Sequence, residues 1–479
     1  MTAPVPLPVP LSAKLATGLS AVAIAIKDNG FGVFLIFFYN QVIGMPSAWV
    51  GLAIMIALFA DALLDPLIGH FGDRTNTAWG RRHPWIYASA VPIALAWLLI
   101  WNPPNWSNEA LFWYLIGTAI LMRAALSCNE VASTAIIPEL TSDYDERTAI
   151  ARYRSLFGWA SGLIMIYCAY SIFLVPSATQ PVGQLNREGY QAYAIAGAIV
   201  MFISIMVAAL GTHSRIARRP HPESLPPKAP MLAELRGIFS AFADPAFMIL
   251  MLATLFAYLN QGIVFAMANY MMTFVWLLSP AALSIYPMAL FGGILIAFFV
   301  VPLVATRIGK RAAAASFAFV SLTLGSLPYI LLALDLMPPL ATPLSIAILF
   351  GLLSLATGAG AGTIILIPSM LADVIEAVQV KSGARQEGLF FAGYFLVQKV
   401  CSGVSIMLVS QILTFAAFPA KAVQGAVPAA TLWTMIGLSS ALFVLFTIGV
   451  MTMMMRFPFG KAEHDERLRQ LSLGTAQKA

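Results

Sequence analysis

Charge is scarce in this chain. Asp, Glu, Lys and Arg make up 10% of its 479 residues, while 60% are hydrophobic. A soluble domain carries about 25% charged residues, so a fully water-exposed globular surface is excluded. Cysteine is scarcer still: Cys128, Cys168 and Cys401 all fall inside apolar runs, which leaves no disulfide framework. No phosphate-binding loop is present, because Gly309-Lys310 lacks both the preceding glycine spacing and the following Ser or Thr. Nor does any motif supply a catalytic constellation reachable by water. ATP-driven transport and membrane enzymology are therefore disfavoured. The opening "MTAPVPLPVPL" is Pro-rich without a basic start and does not read as a cleavable signal; a disordered tail over 1–11 is expected.

What the chain has instead is long apolar runs. Twelve reach the roughly 20 residues that a bilayer crossing needs. They cover 17–43, 48–70, 85–103, 111–138, 152–175, 191–212, 245–277, 282–305, 312–335, 342–370, 386–416 and 429–456. Backbone groups in hydrocarbon must bond within their own span, so each predicts a helix and the fold class is an all-α membrane protein. The net charge of +6 is distributed by side. Lys and Arg crowd the tails and alternate connections, whereas the opposite connections hold only Arg187 and Lys421. The positive-inside rule then places both termini in the cytoplasm, with the lipid bilayer and not nucleic acid as the charge's partner.

The segment 213–244 is basic, Pro-rich and the longest polar connection. It divides a six-helix bundle over 12–212 from a second over 245–456, with a tail over 457–479. Leu232, Leu235, Ile238, Phe239 and Phe242 fall on one helical face, as a helix lying on the membrane surface requires. Asp244-Pro245 predicts an N-cap and first turn opening the seventh span. The halves also echo each other. Gly80-Arg81-Arg82 returns as Gly309-Lys310-Arg311, and Pro138 returns as Pro368, at nearly the same offset. Matched landmarks of this kind are the trace of a duplicated transporter fold.

Against this apolar background, Lys27, Asp28, Asp61, Asp65, Arg123, Glu130, Arg154 and Lys399 stand inside or at the edge of spans. An ionised group at a bilayer centre costs roughly 2.5–3.5 kcal/mol even on a lenient scale, so such residues are functional by default. Asp61 and Asp65 are one helical turn apart and share a face, with Gly69 continuing the stripe. Two carboxylates so close in a dry site bind a hard cation such as Na⁺ or share a proton, and either makes a coupling-ion site. Arg123 and Glu130 lie seven apart on one face of the fourth span, with Asn129 beside Glu130. Polar groups from spans one, two, four, five and eleven predict a substrate cavity near the midplane. Asp73, Arg74, Arg81 and Arg82 predict an ion-paired latch on one conformational state. Gly358, Gly360 and Gly362 predict close helix packing. His83 and His213 are expected in connections.

"DALLDPLIGHFGDRTNTAWGRRHPW" resembles the signature of the glycoside–pentoside–hexuronide:cation symporters of the major facilitator superfamily, the melibiose-permease-like carriers. "PELTSDYDERTAIARYR", "MLADVIEA" and "EGLFFAGYFLVQKVCSG" extend the match over most of the chain. The sodium-dependent lysophosphatidylcholine symporter is similar in fold but moves lipids. The resemblance implies a twelve-helix symporter of a bacterial inner membrane, functional as a monomer. It would take a glycoside, or alternatively a lysophospholipid, with Na⁺ or H⁺ as coupling ion and no cofactor; an uncoupled uniporter is the other alternative. Asp61 and Asp65 would hold the cation with Lys399 beside them; Lys27, Asp28, Glu130 and Arg154 would hold the sugar. Arg123 has no counterpart in the family pattern, although its place among the polar groups puts it with the substrate residues. Two departures bear on specificity. Leu64 replaces an Asn ligand, which favours H⁺ over Na⁺, and Thr134 replaces a Trp on which a sugar ring would stack.

Overall fold

Apolar stretches of this length have no solvent partner for their amides, and all regular structure in the described residues is helical. The computed structural model describes residues 9–75, 77–141, 143–178, 180–217, 240–382 and 387–459. The first part of the chain folds into α1 (Leu11–Leu19), α2 (Val22–Asn29), α3 (Ser47–Arg74), α4 (His83–Trp101), α5 (Asn108–Leu140), α6 (Tyr144–Cys168) and α7 (Arg187–Ala217). The second forms α8 (Pro245–Tyr270), α9 (Pro280–Ile308), α10 (Lys310–Ala333), α11 (Pro343–Ser382), α12 (Glu387–Phe415) and α13 (Ala429–Arg456).

Among the described residues, 11 helical stretches are long and apolar enough to cross a membrane, with α1, α2 and the turns up to Leu35 forming one of them. The twelfth expected span is α3. It has 28 residues, Ser47–Arg74, and among the described residues its stretch Ser47–Asp61 is apolar. Twelve spans are consistent with this set.

Two features depart from the expected straight, hydropathy-bounded helices. The first span widens into π-helical turns at Gly30–Leu35 and Phe38–Ile43, directly after Lys27 and Asp28. Such bulges recur where a helix is bent to present functional groups. Helix α6 begins at Tyr144, well before the apolar run at 152, because Asp143 accepts a hydrogen bond from the Glu146 amide at 2.8 Å and caps it there. Hydropathy marks what faces lipid; capping marks where the helix starts. Asp244 caps α8 as predicted, accepting from the Ala246 and Phe247 amides at 2.9 and 3.0 Å. The predicted surface helix over 232–242 lies mostly outside the described residues.

Contacts divide the chain into two compact units, Met1–Lys228 and Ala229–Ala479. In the first, α3 packs on α5, α4 on α5 and α7, and α1 with α2 on α6 and α7. In the second, α9 packs on α11, α10 on α11 and α13, and α8 on α12 and α13. Substituting each helix by its counterpart reproduces the same adjacencies. The sequence echo has a backbone cause: Gly80 and Gly309 both hold positive φ, +86° and +84°, at the turns entering α4 and α10. Only glycine adopts that region without strain.

Each unit has its own core. The first is aromatic, with Trp101 stacked on Tyr190 at 5.7 Å and Phe34, Phe38, Trp97 and Tyr193 fully or almost fully buried around them. The second is mainly aliphatic, built on Phe247, Leu250, Ile367, Met370 and Val374. A Cβ at Gly358 would collide with the Gly293 carbonyl, so the predicted glycine stripe lets α11 approach α9.

Candidate cation and substrate site

The site begins with the α3–α5 packing. Asp61 lies on the face of α3 turned to α5, only 4% exposed, and Arg123 opposite it is 5% exposed. Arg123 Nη1 donates to Asp61 Oδ2 at 3.1 Å. Ser127, one turn further along α5 and so on the same face, donates to Asp61 Oδ1 at 3.1 Å. Both carboxylate oxygens thus accept from α5. Arg123 Nε is buried and has no hydrogen-bond partner among the described residues. Asp65, the next turn of α3, is half-buried and within electrostatic reach of Cys128 on α5.

A second polar group centres on Arg154 of α6. Its Nη1 donates to Ser20 Oγ at 2.9 Å, between α1 and α2, and to the Ser133 carbonyl of α5 at 3.0 Å. Its Nη2 donates to Thr134 Oγ1 at 3.0 Å. Glu130 is half-buried and within electrostatic reach of the same guanidinium. Asn129 is fully buried, and neither amide atom has a hydrogen-bond partner among the described residues. On α2, Lys27 and Asp28 form an ion pair in which Asp28 is 56% exposed and Lys27 much less so.

Arg123 and Glu130 share a face of α5 by spacing, yet their long side chains diverge. Arg123 reaches α3 and Asp61; Glu130 approaches Arg154 of α6. Helix α5 therefore carries both groups. Lys399 is half-buried on α12 of the second unit.

Of the residues expected to form a latch, Arg81 and Arg82 come together at the α3–α4 turn. Arg81 Nη2 and Arg82 Nε approach one oxygen of Glu139, at the end of α5, at 3.2 and 3.6 Å. Arg74 is exposed at the last residue of α3, and the Asp73 side chain lies outside the described residues. The second unit repeats this arrangement: Lys310 Nζ meets both oxygens of Asp373, at 2.7 and 2.8 Å, and the Ser369 carbonyl at 3.3 Å. Sequence reasoning missed Glu139 and Asp373. The signal was there, since each acid follows shortly after one of the echoed prolines, Pro138 and Pro368.

Two histidines sit differently from expectation. His83 and His213 are not in connections but on α4 and α7, with rings 5.1 Å apart and His83 Nε2 3.0 Å from Thr212 Oγ1. The apolar runs stop before these residues, while the helices continue through them. In the second unit, Tyr258 and Tyr394 hydroxyls lie 2.8 Å apart and Asn260 donates to Thr447 at 3.0 Å. No periodic pattern distinguishes those polar groups from their apolar neighbours in sequence.

A family model described as MFS/sugar transport protein matches residues 16–461. The isoprimeverose transporter of Lactiplantibacillus pentosus is 25% identical over 424 residues, covering 87% of this chain and 83% of that protein. The sodium-dependent lysophosphatidylcholine symporter 1-A of Danio rerio is 23% identical over 490 residues, covering 96% and 88%. Among solved structures, the inward open xylose transporter XylE from E. coli superposes with a TM-score of 0.57 at 13% identity, covering 96% of this chain and 98% of that one. The nucleoside transporter NupG gives 0.58 at 14%, covering 93% and 99%. These likenesses establish the fold. With a family match over residues 16–461 and its array of membrane-length helices, the chain belongs to the MFS/sugar transport protein family of multi-pass membrane transporters.

Proposed function

We propose that this protein is a cation-coupled symporter of a sugar or glycoside, working by alternating access in a bacterial inner membrane. The observation that carries this reading is the polar network on α5, which joins a carboxylate pair on α3 to the Glu130–Arg154 group. A coupled carrier needs an ion site and a solute site that share a structural element, so that occupancy of one biases the other. Asp61 and Asp65 form the ion site; the ion is Na⁺ or H⁺.

Lys27, Asp28, Asn129, Glu130 and Arg154 form the solute site. Paired donors and acceptors of both signs suit vicinal hydroxyls, which accept from a guanidinium and donate to a carboxylate. The isoprimeverose transporter supports a glycoside as the solute. Cation binding must favour one of two states, since a ligand bound equally by both shifts nothing. The Arg81–Arg82–Glu139 and Lys310–Asp373 pairs lie on the cytoplasmic side and hold their turns in one state. The carrier functions as a monomer with both termini cytoplasmic.

The test is uptake by proteoliposomes of labelled glycosides and lysophosphatidylcholine under imposed cation gradients. Gradient-dependent glycoside uptake supports the proposal. Uptake of lysophosphatidylcholine with every glycoside silent keeps the carrier and replaces its substrate.

A further inference from the structure

The buried guanidinium of Arg123 sits where a coupling ion would otherwise meet Asp61. We propose that Arg123 is a tethered cation that takes the place of an alkali ion at the carboxylate pair and makes this carrier indifferent to Na⁺. The inference rests on the reading of Asp61 and Asp65 as the ion site and specifies which ion that site refuses.

Three observations converge. Asp61 Oδ2 accepts from Arg123 Nη1 and Oδ1 accepts from Ser127 Oγ, each at 3.1 Å, so both oxygens already have donors facing them. An alkali ion would approach the same two oxygens and need further oxygens around it, and the positive guanidinium already at that place repels it. Next, Asp61 and Arg123 are almost wholly buried and bonded to each other, so the guanidinium occupies the interior of the site. Finally, position 64, beside Asp65, is an aliphatic Leu that offers no oxygen to a cation.

The arrangement makes a directional prediction. Removing the guanidinium should uncover Asp61 and create Na⁺ dependence where none exists. Full-length protein in detergent is titrated with NaCl against choline chloride at constant ionic strength, reading Tm, and with radiolabelled Na⁺ by equilibrium dialysis. Wild type should bind no saturable Na⁺ and keep its Tm. Arg123→Ala and Arg123→Gln should each gain a saturable site, and Na⁺ well above its Kd should raise their Tm by about 5 °C. Adding Asp61→Asn to either should abolish the gain. Arg123→Lys retains a tethered positive charge and should stay indifferent, which separates loss of charge from loss of shape.

Saturable Na⁺ binding by wild type overturns the proposal, and that arm needs no variant to fold. A folded Arg123→Ala or Arg123→Gln that ignores Na⁺ overturns it as well. Neither readout involves a solute. A carrier that moves no glycoside, yet shows the Na⁺ pattern above, would refute the proposed substrate and leave the tethered cation standing.

Discussion

Asp61 and Arg123 show what a charge inside an apolar unit demands of its neighbours. Taking one partner away leaves the other buried and uncompensated, which costs about 3–5 kcal/mol, whereas replacing both leaves no stranded charge. Asp61→Ala should therefore lower stability by that order, and Asp61→Ala with Arg123→Ala should recover much of it. Thermal unfolding of the four proteins of this cycle checks it; an additive double variant would mean that the pair is not coupled. At the solute group, Glu130→Gln and Arg154→Gln should each weaken glycoside binding about tenfold or more, the scale of a lost charge-assisted hydrogen bond. If equilibrium binding is normal in both, the solute lies elsewhere. The sequence made most of these residues visible, because ionisable groups in apolar runs are conspicuous. It did not make their pairing visible. Spacing put Arg123 with Glu130, and only the helix neighbours of α5 show that one side chain turns to α3 and the other to α6.

Helices were legible where hydropathy and capping agree, and misjudged where they part. The apolar run of the fifth span begins at 152, but Asp143 starts α6 at Tyr144. The π-helical turns after Asp28 left no periodic signature, since Gly, Phe and Val occur in straight spans as well. Close packing of α9 on α11 was legible from the Gly358 stripe. Gly358→Val should force these helices apart, because its added atoms would meet the Gly293 backbone and not a flexible side chain. Loss of folded protein on size-exclusion chromatography is the expected outcome; a monodisperse variant with unchanged Tm would contradict that packing. At the turn between α3 and α4, Glu139→Gln should release Arg81 and Arg82 and shift the population of the two access states. Cysteine accessibility near Glu139, compared with wild type, reads that shift, and identical labelling would remove the latch.

The whole chain is one helical arrangement written twice, visible as matched glycines and prolines in sequence and as matched adjacencies in space. The duplication repeats the ion pairs at the turns, but not the rest of the chemistry. The buried Asp61–Arg123 pair and the Arg154 group lie in the first unit, while the second holds Lys399 and the hydroxyl pair of Tyr258 and Tyr394. Concentrating solute requires the ion site, whereas exchange of bound solute requires only the solute site and the change of access. Proteoliposomes carrying Asp65→Asn should therefore exchange labelled glycoside for unlabelled at a rate comparable to wild type, yet fail to accumulate it under an imposed gradient. Accumulation by this variant at the wild-type level would contradict the assignment of the ion site to Asp61 and Asp65.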